Sequence, residues 1–310
     1  MILILIPAVV LAFASLAAFF GRYVWWLDVI ANFRVQFLVA LLALGAVLAL
    51  SRFRRWAAGI LFVAGINLAV VAPLYLGSPG DSSVDAPSVR VMSFNLLSTN
   101  DRYGEVAEYI RETEPDVVVL HEASLPWETA MESSDLGYEV TKSRSDDLIF
   151  GTLVMTRSSA GVLTYGFRES DPRAVEITTI VDGWDIPVTI LSSHPLAPTD
   201  VDRAALRDAQ LAFAAEWAAD QSGPYMVVGD FNATPWSWPF RNLLVTGRLR
   251  NSQIGFGVQP SFAATSNPLF RVPIDHLVHS DALVVRQRRL GPTLGSDHFP
   301  LIVDLELVDG

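Results

Sequence analysis

The chain changes character once, near residue 77. Before that point apolar residues run almost unbroken in three stretches: Ile2 to Phe20, about Val35 to Leu50, and Trp56 to Leu76. Each approaches the ~20 apolar residues that a helix needs to cross a bilayer. Beyond it, short apolar runs alternate with stretches of helical spacing, broken by turn residues. Val89–Phe94, Asp116–Leu120, Ile149–Met155, Val175–Val181, Pro187–Leu191, Tyr225–Val228, Ile274–Val278 and Leu301–Leu307 read as strands. Glu105–Glu112 reads as a helix stopped by Pro115, and Val201–Ala219 as a longer one capped by Thr199 or Asp200. Residues 241–272 are rich in loop signals and receive no element. There is no internal repeat.

The alternation of strand and helix predicts an α/β domain of about 225 residues, large enough for one substantial core. Residues 77–88, Gly-Ser-Pro-Gly-Asp-Ser-Ser-Val-Asp-Ala-Pro-Ser, form a Gly/Pro/Ser linker. The expected organisation is a membrane anchor of about three helices (1–76), a linker (77–88) and a catalytic domain (89–310).

Charge sharpens this division. Residues 1–76 hold five Arg and a single acid, Asp28. Taking these from the chain's 22 basic and 33 acidic residues leaves 17 and 32 for residues 77–310, a net charge of −15. Arg52, Arg54 and Arg55 cluster between the second and third apolar stretches. A basic loop of this kind is retained in the cytoplasm, so the first loop and everything after residue 77 fall outside. Trp25, Trp26 and Trp56 stand where interfacial anchors are expected. A cleavable signal sequence fits less well, since Met1–Phe20 lacks a basic start and Phe-Phe-Gly-Arg is a poor cleavage site. Cys is absent, which excludes disulfides, Cys-ligated zinc and thiol chemistry.

In the second part, apolar runs repeatedly end in a polar residue. Val91-Met92-Ser93-Phe94 leads to Asn95, Val117–Leu120 to His121-Glu122, and Val188–Leu191 through two Ser to His194. Val227-Val228 leads to Gly229-Asp230-Phe231-Asn232-Ala233-Thr234-Pro235; Asp275 opens one late strand, and Asp297-His298 precede the last. Strand ends gather along one edge of a sheet, so these groups converge on one cleft. Singly, each has an ordinary reading. Gly-Asp and Asn-Ala-Thr-Pro are turn chemistry. Glu122 suits a strand-end surface charge, Asp275 an Arg partner, and Asp297-His298 a capping turn. His121 reads as structural, and His276 and His279 as ordinary strand or surface residues. Jointly they offer four carboxylates, two imidazoles and two amides, a set suited to a hard divalent cation such as Mg²⁺ or Mn²⁺. Neither Gly-x-Ser-x-Gly nor a P-loop is present. The chemistry this describes is hydrolysis of a phosphate ester by activated water.

These motifs, together with Ser93-Phe94-Asn95, Pro115–Glu122, Ser193-His194-Pro195, Ile274-Asp275-His276 and Gly295–His298, resemble the endonuclease/exonuclease/phosphatase (DNase I-like) superfamily over about residues 88–307. Its members include DNase I-like nucleases, AP endonucleases, inositol-polyphosphate 5-phosphatases and neutral sphingomyelinases. Within it the chain looks most like bacterial membrane-anchored members, which also carry a Trp after the Thr-Pro. The resemblance implies a four-layer α/β/β/α sandwich. It also implies a metal held by Glu122 with Asn95 and with Asp297 nearby, and Asp230 to orient or deprotonate water. Asn232 would hold the phosphate, His298 would contact the scissile phosphate with Asp275 fixing its tautomer, and His194 would be the second His. Pro195 stands where many members have Leu.

The −15 charge argues against a stable complex with long nucleic acid, although Arg248/Arg250 and Arg286/Arg288/Arg289 form local clusters. The expected partners are therefore a phosphate-ester substrate and the lipid bilayer, a lipid head group being one candidate. An extracytoplasmic nuclease is the enzymatic alternative. A catalytically inactive, membrane-tethered scaffold is the alternative of another class. Trp236 and Trp238 fit either a lipid-facing rim or core packing.

Overall fold

A computed structural model describes residues 2–77, 87–142, 151–157, 161–165, 174–180 and 184–308. The chain begins with helices α1 (Ile2–Ala17), α2 (Trp25–Ala31), α3 (Arg34–Ala49) and α4 (Arg54–Val71). Short 3₁₀ turns, Ala18–Phe20 and Ala72–Leu74, extend α1 and α4. Both extended helices are long and apolar enough to cross a membrane. A third span results if α2 and α3, bent by 65° at Asn32–Phe33, are taken as one broken crossing. The α2 segment falls between the first two apolar stretches, and the sequence reading gives it no element.

Helices α1, α3 and α4 pack through Ala8, Ala12, Phe37, Leu41, Leu48, Ala57, Ile60 and Ala64. Gly45 sets the close approach of α3 to α4, since a Cβ there would meet Leu61 Cδ2 at 2.5 Å. A small polar knot lies inside this bundle. Arg34 donates to the Ser15 carbonyl at 2.8 Å, and Asn67 Nδ2 donates to Ser15 Oγ at 2.7 Å. Buried polar groups in an apolar bundle require such mutual satisfaction.

The second part continues with β1 (Ser88–Asn95), α5 (Tyr103–Thr113), β2 (Val117–His121), α6 (Leu125–Ser133), β3 (Glu139–Lys142) and β4 (Thr152–Thr156). Then follow β5 (Gly161–Tyr165), β6 (Ala174–Thr179), β7 (Val188–Ser193), α7 (Val201–Ala219), β8 (Tyr225–Asp230) and α8 (Trp238–Thr246). The last strands are β9 (Arg250–Asn251), β10 (Asp275–His279), β11 (Leu283–Leu290) and β12 (Leu301–Leu307). Of the expected strands, Ile149, Phe150 and Val181 lie outside the described residues, as do linker residues 78–86. Elements α6, α8, β3, β5, β9 and β11 are additional to the sequence reading, and α8 accounts for the start of the unplaced stretch at 241.

Two six-stranded mixed sheets result, ordered β11-β12-β1-β2-β4-β3 and β5-β6-β7-β8-β10-β9. Each has one parallel pair built by a crossover helix: β1 and β2 around α5, β7 and β8 around α7. Strand alternation sorts side chains into three apolar layers. Val89, Val91, Val117, Val119, Val188, Ile190, Met226, Val228 and Leu277 face inward and form the core between the sheets. Their neighbours Met92, Phe94, Val118 and Leu120 face outward onto α5 and α6. Leu191, Val227 and Val278 face outward onto α7 and α8. The order helix, sheet, sheet, helix is thus fixed by the period-two pattern of the strands.

Local signals set the helix ends. Glu114, in the left-handed region at φ 48°, ends α5 just before Pro115. Asp200 rather than Thr199 caps α7, its side chain accepting from Arg203 N at 2.8 Å.

Candidate active site

Strand parity places the chemistry. Asn95 shares the inward face of Val89 and Val91, His121 that of Val117 and Val119, Asp230 that of Met226 and Val228, and Asp275 that of Leu277. Strand polarity then brings them to one edge. β1 and β2 run parallel and end in Asn95 and His121, which are register partners. β10 runs antiparallel to β8, so its first residue, Asp275, sits opposite Asp230, the last of β8. β12 runs antiparallel to β1, which puts the preceding Asp297 and His298 at the same edge.

The result is a cleft of about 210 Å³ whose lining includes Asn95, Glu122, His194, Asp230, Asn232, Asp297 and His298. Every residue singled out in the sequence for metal binding or catalysis therefore lines it, except Asp275, which lies behind His298. Three residues at this edge hold left-handed backbone without being Gly: Leu97, Glu122 and Asn232, at φ 62°, 56° and 48°. Such conformations cost of order 1–3 kcal/mol each and persist only where surrounding bonds enforce them.

Those bonds are present. Asn95 Nδ2 donates to Glu122 Oε1 and to Asp230 Oδ2, both at 3.1 Å, while its Oδ1 accepts from Leu97 N. Asn95 thus acts here as a bridge between two carboxylates rather than as an oxygen aimed into the cleft. Ser98 N donates to Glu122 Oε2 at 3.0 Å. Asn232 donates its N–H to Asp230 Oδ1 at 2.9 Å and its Nδ2 to Pro195 O at 3.0 Å.

His298 Nδ1 lies 2.8 Å from Asp275 Oδ2, and its Nε2 lies 3.6 Å from Asp230 Oδ2. His194 Nε2 approaches the same Asp230 oxygen at 3.6 Å. Two Ser to which the sequence reading gave no role support this arrangement. Ser296 Oγ donates to Asn95 O and accepts from His298 N; Ser261 Oγ accepts from Asp275 N. Arg203, in the first turn of α7, also reaches the cleft.

Electrostatics follow from burial. Desolvation, with Asp275 opposite, pushes the Asp230 carboxyl up to about 7, against the pull of His298. Burial opposes the charge of His298, but Asp275 and Asp230 outweigh it and raise its pKa to about 10. Burial also works against the Asp275 carboxylate, yet the His298 imidazolium holds it below the usual carboxylate range.

Among the described residues, Asp230, Asp275 and His298 form the one His/Asp/Glu group of three whose ligand atoms lie within 4.8 Å of one another. His298 Nδ1 is committed to Asp275, so it is not open as a ligand atom in this group. Hard oxygen donors are available beside it. Glu122 and Asp297 line the cleft half-exposed, and Asp230 adds a third carboxylate. This donor set suits a hard divalent cation, whose charge would relieve the carboxylates' mutual repulsion.

The remaining His lie outside the cleft lining, and all three are buried. His276 is buried with Nε2 2.8 Å from Ala233 O and its ring 4.5 Å from Phe240. His279 Nδ1 lies 2.9 Å from Ser280 O. His121 is fully buried, 5.1 Å ring to ring from His194, and burial drives its pKa well down. Trp236 is buried against Val71 and Leu74, and Trp238 lies under Arg22 at 4.6 Å. Both therefore pack onto the N-terminal helices. Of the local Arg clusters, Arg286 pairs with Glu306 and Arg250 with Asp281, while Arg288 is buried and donates to Asp275 O.

This edge, with its carboxylates and paired His between two sheets, is characteristic of enzymes that hydrolyse phosphate esters. The profile of the Endonuclease/Exonuclease/phosphatase family matches residues 92–298, and the chain belongs to that family. Its members are in general hydrolases acting on phosphate esters. Solved structures share the fold at low identity. A functionally unknown conserved protein from Enterococcus faecalis is 16% identical with a TM-score of 0.60, covering 71% of this chain and 100% of that one. The human Nocturnin catalytic domain with bound sulfate is 20% identical with a TM-score of 0.57, covering 72% and 96%. Danio rerio TDP2 complexed with a single-strand DNA product is 14% identical with a TM-score of 0.58, covering 71% and 99%. No curated protein matches the chain.

Proposed function

We propose that this protein is a membrane-anchored phosphoesterase, dependent on Mg²⁺ or Mn²⁺, that hydrolyses a phosphodiester or phosphomonoester by attack of activated water. The observation that carries this reading is the convergence of His298 and His194 on one oxygen of Asp230 in a carboxylate-lined cleft. Glu122 and Asp297 would hold the cation, with Asn95 fixing Glu122. When bound, the cation would supply charge to neutralise phosphate oxygens.

The residues of the chain do the rest. Asp230, once ionised, takes a proton from water as the oxygen attacks phosphorus. The bond from phosphorus to the leaving oxygen breaks, and an imidazolium, His298 or His194, donates a proton to that oxygen. Asp275 holds His298 in the tautomer that keeps Nε2 toward the cleft. The free N–H of the Asn232 amide is a donor for a phosphate oxygen.

Residues 1–76 serve as the anchor in this reading, 77–88 as the linker and 89–310 as the catalytic domain. α3 carries the chain ~24 Å, at 1.5 Å per residue, from the catalytic domain to the Arg52–Arg55 turn. The basic turn thus lies opposite the domain, which favours a cytoplasmic turn and an extracytoplasmic catalytic domain in a bacterial cytoplasmic membrane. Docking beside the anchor favours a membrane-near substrate such as a lipid head group. Pairing and burial of Arg250, Arg286 and Arg288 weigh against a nucleic-acid track.

Turnover of a generic aryl phosphodiester with Mg²⁺ or Mn²⁺ tests the reading, with EDTA and Asp230→Ala as controls. Undiminished turnover in Asp230→Ala would sink the mechanism, and no turnover on any phosphate ester would favour a scaffold. A panel of lipid, nucleotide and oligonucleotide substrates separates a lipid phosphoesterase from a nuclease. A reporter fused after Gly310 that is active only in the cytoplasm would overturn the topology.

A further inference from the structure

The anchor does more than sit beside the catalytic domain. Asp28, in α2, is the single acid of residues 1–76 and is buried in the junction. Its Oδ2 accepts from Arg207 Nη2 at 2.9 Å, and its Oδ1 accepts from Trp238 N at 2.7 Å. Arg207, on α7, is itself fully buried. Its Nη1 donates to the backbone carbonyl of Asn232 at 3.1 Å. Four residues on from Asp28, Asn32 Oδ1 accepts from Thr234 Oγ1 at 2.9 Å.

The loop 232–238 is thus gripped from the anchor at three points: Asn232 through Arg207, Thr234 through Asn32, and Trp238 through Asp28. Tethering alone requires none of this, and burying an ion pair carries a desolvation cost that a flexible linker avoids. The grip also falls where it is needed. Asn232 is in the left-handed region, with its N–H tied to Asp230 and its side chain to Pro195. The Arg207 bond to its carbonyl adds a hold from the anchor side, beside the bonds of Phe231 N to Ile274 O and of His276 Nε2 to Ala233 O on the sheet side. A loop free at this point relaxes toward ordinary backbone, and the N–H that orients the Asp230 carboxylate turns with it.

We infer that Asp28 is a positioning residue of the active site: through Arg207 it holds Asn232, and with it the Asp230 carboxylate, in working geometry, so that the anchor completes the catalytic site. This rests on the phosphoesterase reading for its activity arm but not for its structural arm.

The test uses the full chain in detergent or nanodiscs, with wild type, Asp28→Ala, Asp28→Asn, Arg207→Met and Asp28→Ala/Arg207→Met. Hydrogen exchange of the peptide covering 231–238 is measured alongside kcat and KM on an aryl phosphodiester with Mn²⁺. Asp28→Ala is expected to raise exchange in that peptide while the rest of the domain stays protected. It is also expected to lower kcat by about 10–100-fold, the usual cost of losing an orienting partner, with KM little changed. The double variant is expected to be no worse than either single one, since both act through one chain of bonds. Asp28→Asn keeps an acceptor for Trp238 N and should fall between wild type and Ala; it decides the matter if Ala does not fold. Unchanged exchange at 231–238, unchanged kcat, or a loss of protection spread over the whole domain would each overturn the inference. Wild-type inactivity, or full activity in Asp230→Ala, would instead count against the phosphoesterase reading, leaving the exchange result to decide the role of Asp28.

Discussion

Asp275 and Asp230 are register partners across β10 and β8, two buried carboxyls on the same inward face with His298 placed against both. The pair is asymmetric. Asp275 owns the hydrogen bond to His298 Nδ1 and stays ionised, while Asp230, more weakly approached, carries the raised pKa. One carboxylate is thus committed to holding a His, and the other, under the proposed mechanism, is the one that accepts a proton.

The pH dependence of turnover follows from that asymmetry. Asp230 must be deprotonated to accept a proton, so kcat/KM should rise along an ascending limb at or below its pKa of about 7, bound cation moving the limb downward. His298 must be protonated to donate, so activity should fall along a descending limb at or below about 10, the bound cation moving this limb downward as well. The two limbs belong to the coupled pair rather than to single residues. A kcat/KM profile from pH 5 to 11 at saturating metal checks this; a flat profile between 8 and 11 would exclude His298 as the acid.

Asp275→Asn should damage turnover more than binding. The amide is nearly the same size as the carboxylate, so packing survives, but it neither sustains the His298 charge nor fixes its tautomer. The expected loss is about 10–100-fold in kcat with KM within a few-fold. The descending limb should move to lower pH, because Asp275 is a main support of the raised His298 pKa. A fall in KM-dependent terms alone, with kcat intact, would place Asp275 outside the proton path.

Gly229→Ala should be a stability mutant. Gly229 has φ +146°, and a Cβ there would meet Ser193 O at 2.1 Å and His121 Nε2 at 2.7 Å. β7 and β8 pair closely at this point, and His121 fills the space on the inner face. Overpacking of this kind costs about 1–3 kcal/mol, and the backbone conformation adds to it. A thermal melt lowered by several degrees is expected, whereas an unchanged melt would show that the sheet edge can yield.

How far the sequence discloses this protein differs by level. The site was legible because each group stands at one end of an apolar run, after it or just before it, and such ends share an edge. Asn95, Glu122, His194, Asp230, Asn232, Asp297 and His298 all reach the cleft for that reason. Short or edge elements such as β3, β5 and β9 were not legible, since tertiary pairing rather than local pattern makes them strands. Ser261 carries no signal of its own among ordinary loop Ser, and Ser296, though inside the Gly295–His298 motif, shows its supporting bonds only in the fold. Arg207 looked like one polar residue on an amphipathic helix. Asp28 did leave a trace, as a lone acid in an apolar stretch, but its partner lies 179 residues away and only the fold joins them.

Acid should destabilise the protein in a way that His276 exposes. Its folded pKa is lowered to about 3 by burial and by Arg288, against 6.5 when unfolded. Between those values the unfolded chain takes up a proton that the folded one does not. The stability it contributes is therefore present above pH 6.5 and is lost as pH falls toward 3, at about 1.4 kcal/mol per unit. His121 and His279, also lowered, act in the same direction. Asp230 opposes them, because its raised pKa means that the folded state gains a proton as pH falls through about 7. Asp208, raised by burial, opposes them too; with three His against two carboxyls, the metal-free protein should melt at progressively lower temperature from pH 6.5 to 5. His276→Gln isolates the contribution, since a Gln amide can still donate to Ala233 O but does not titrate. Its melting temperature should fall less steeply over this interval than that of wild type, and parallel slopes would show that His276 is not the group responsible.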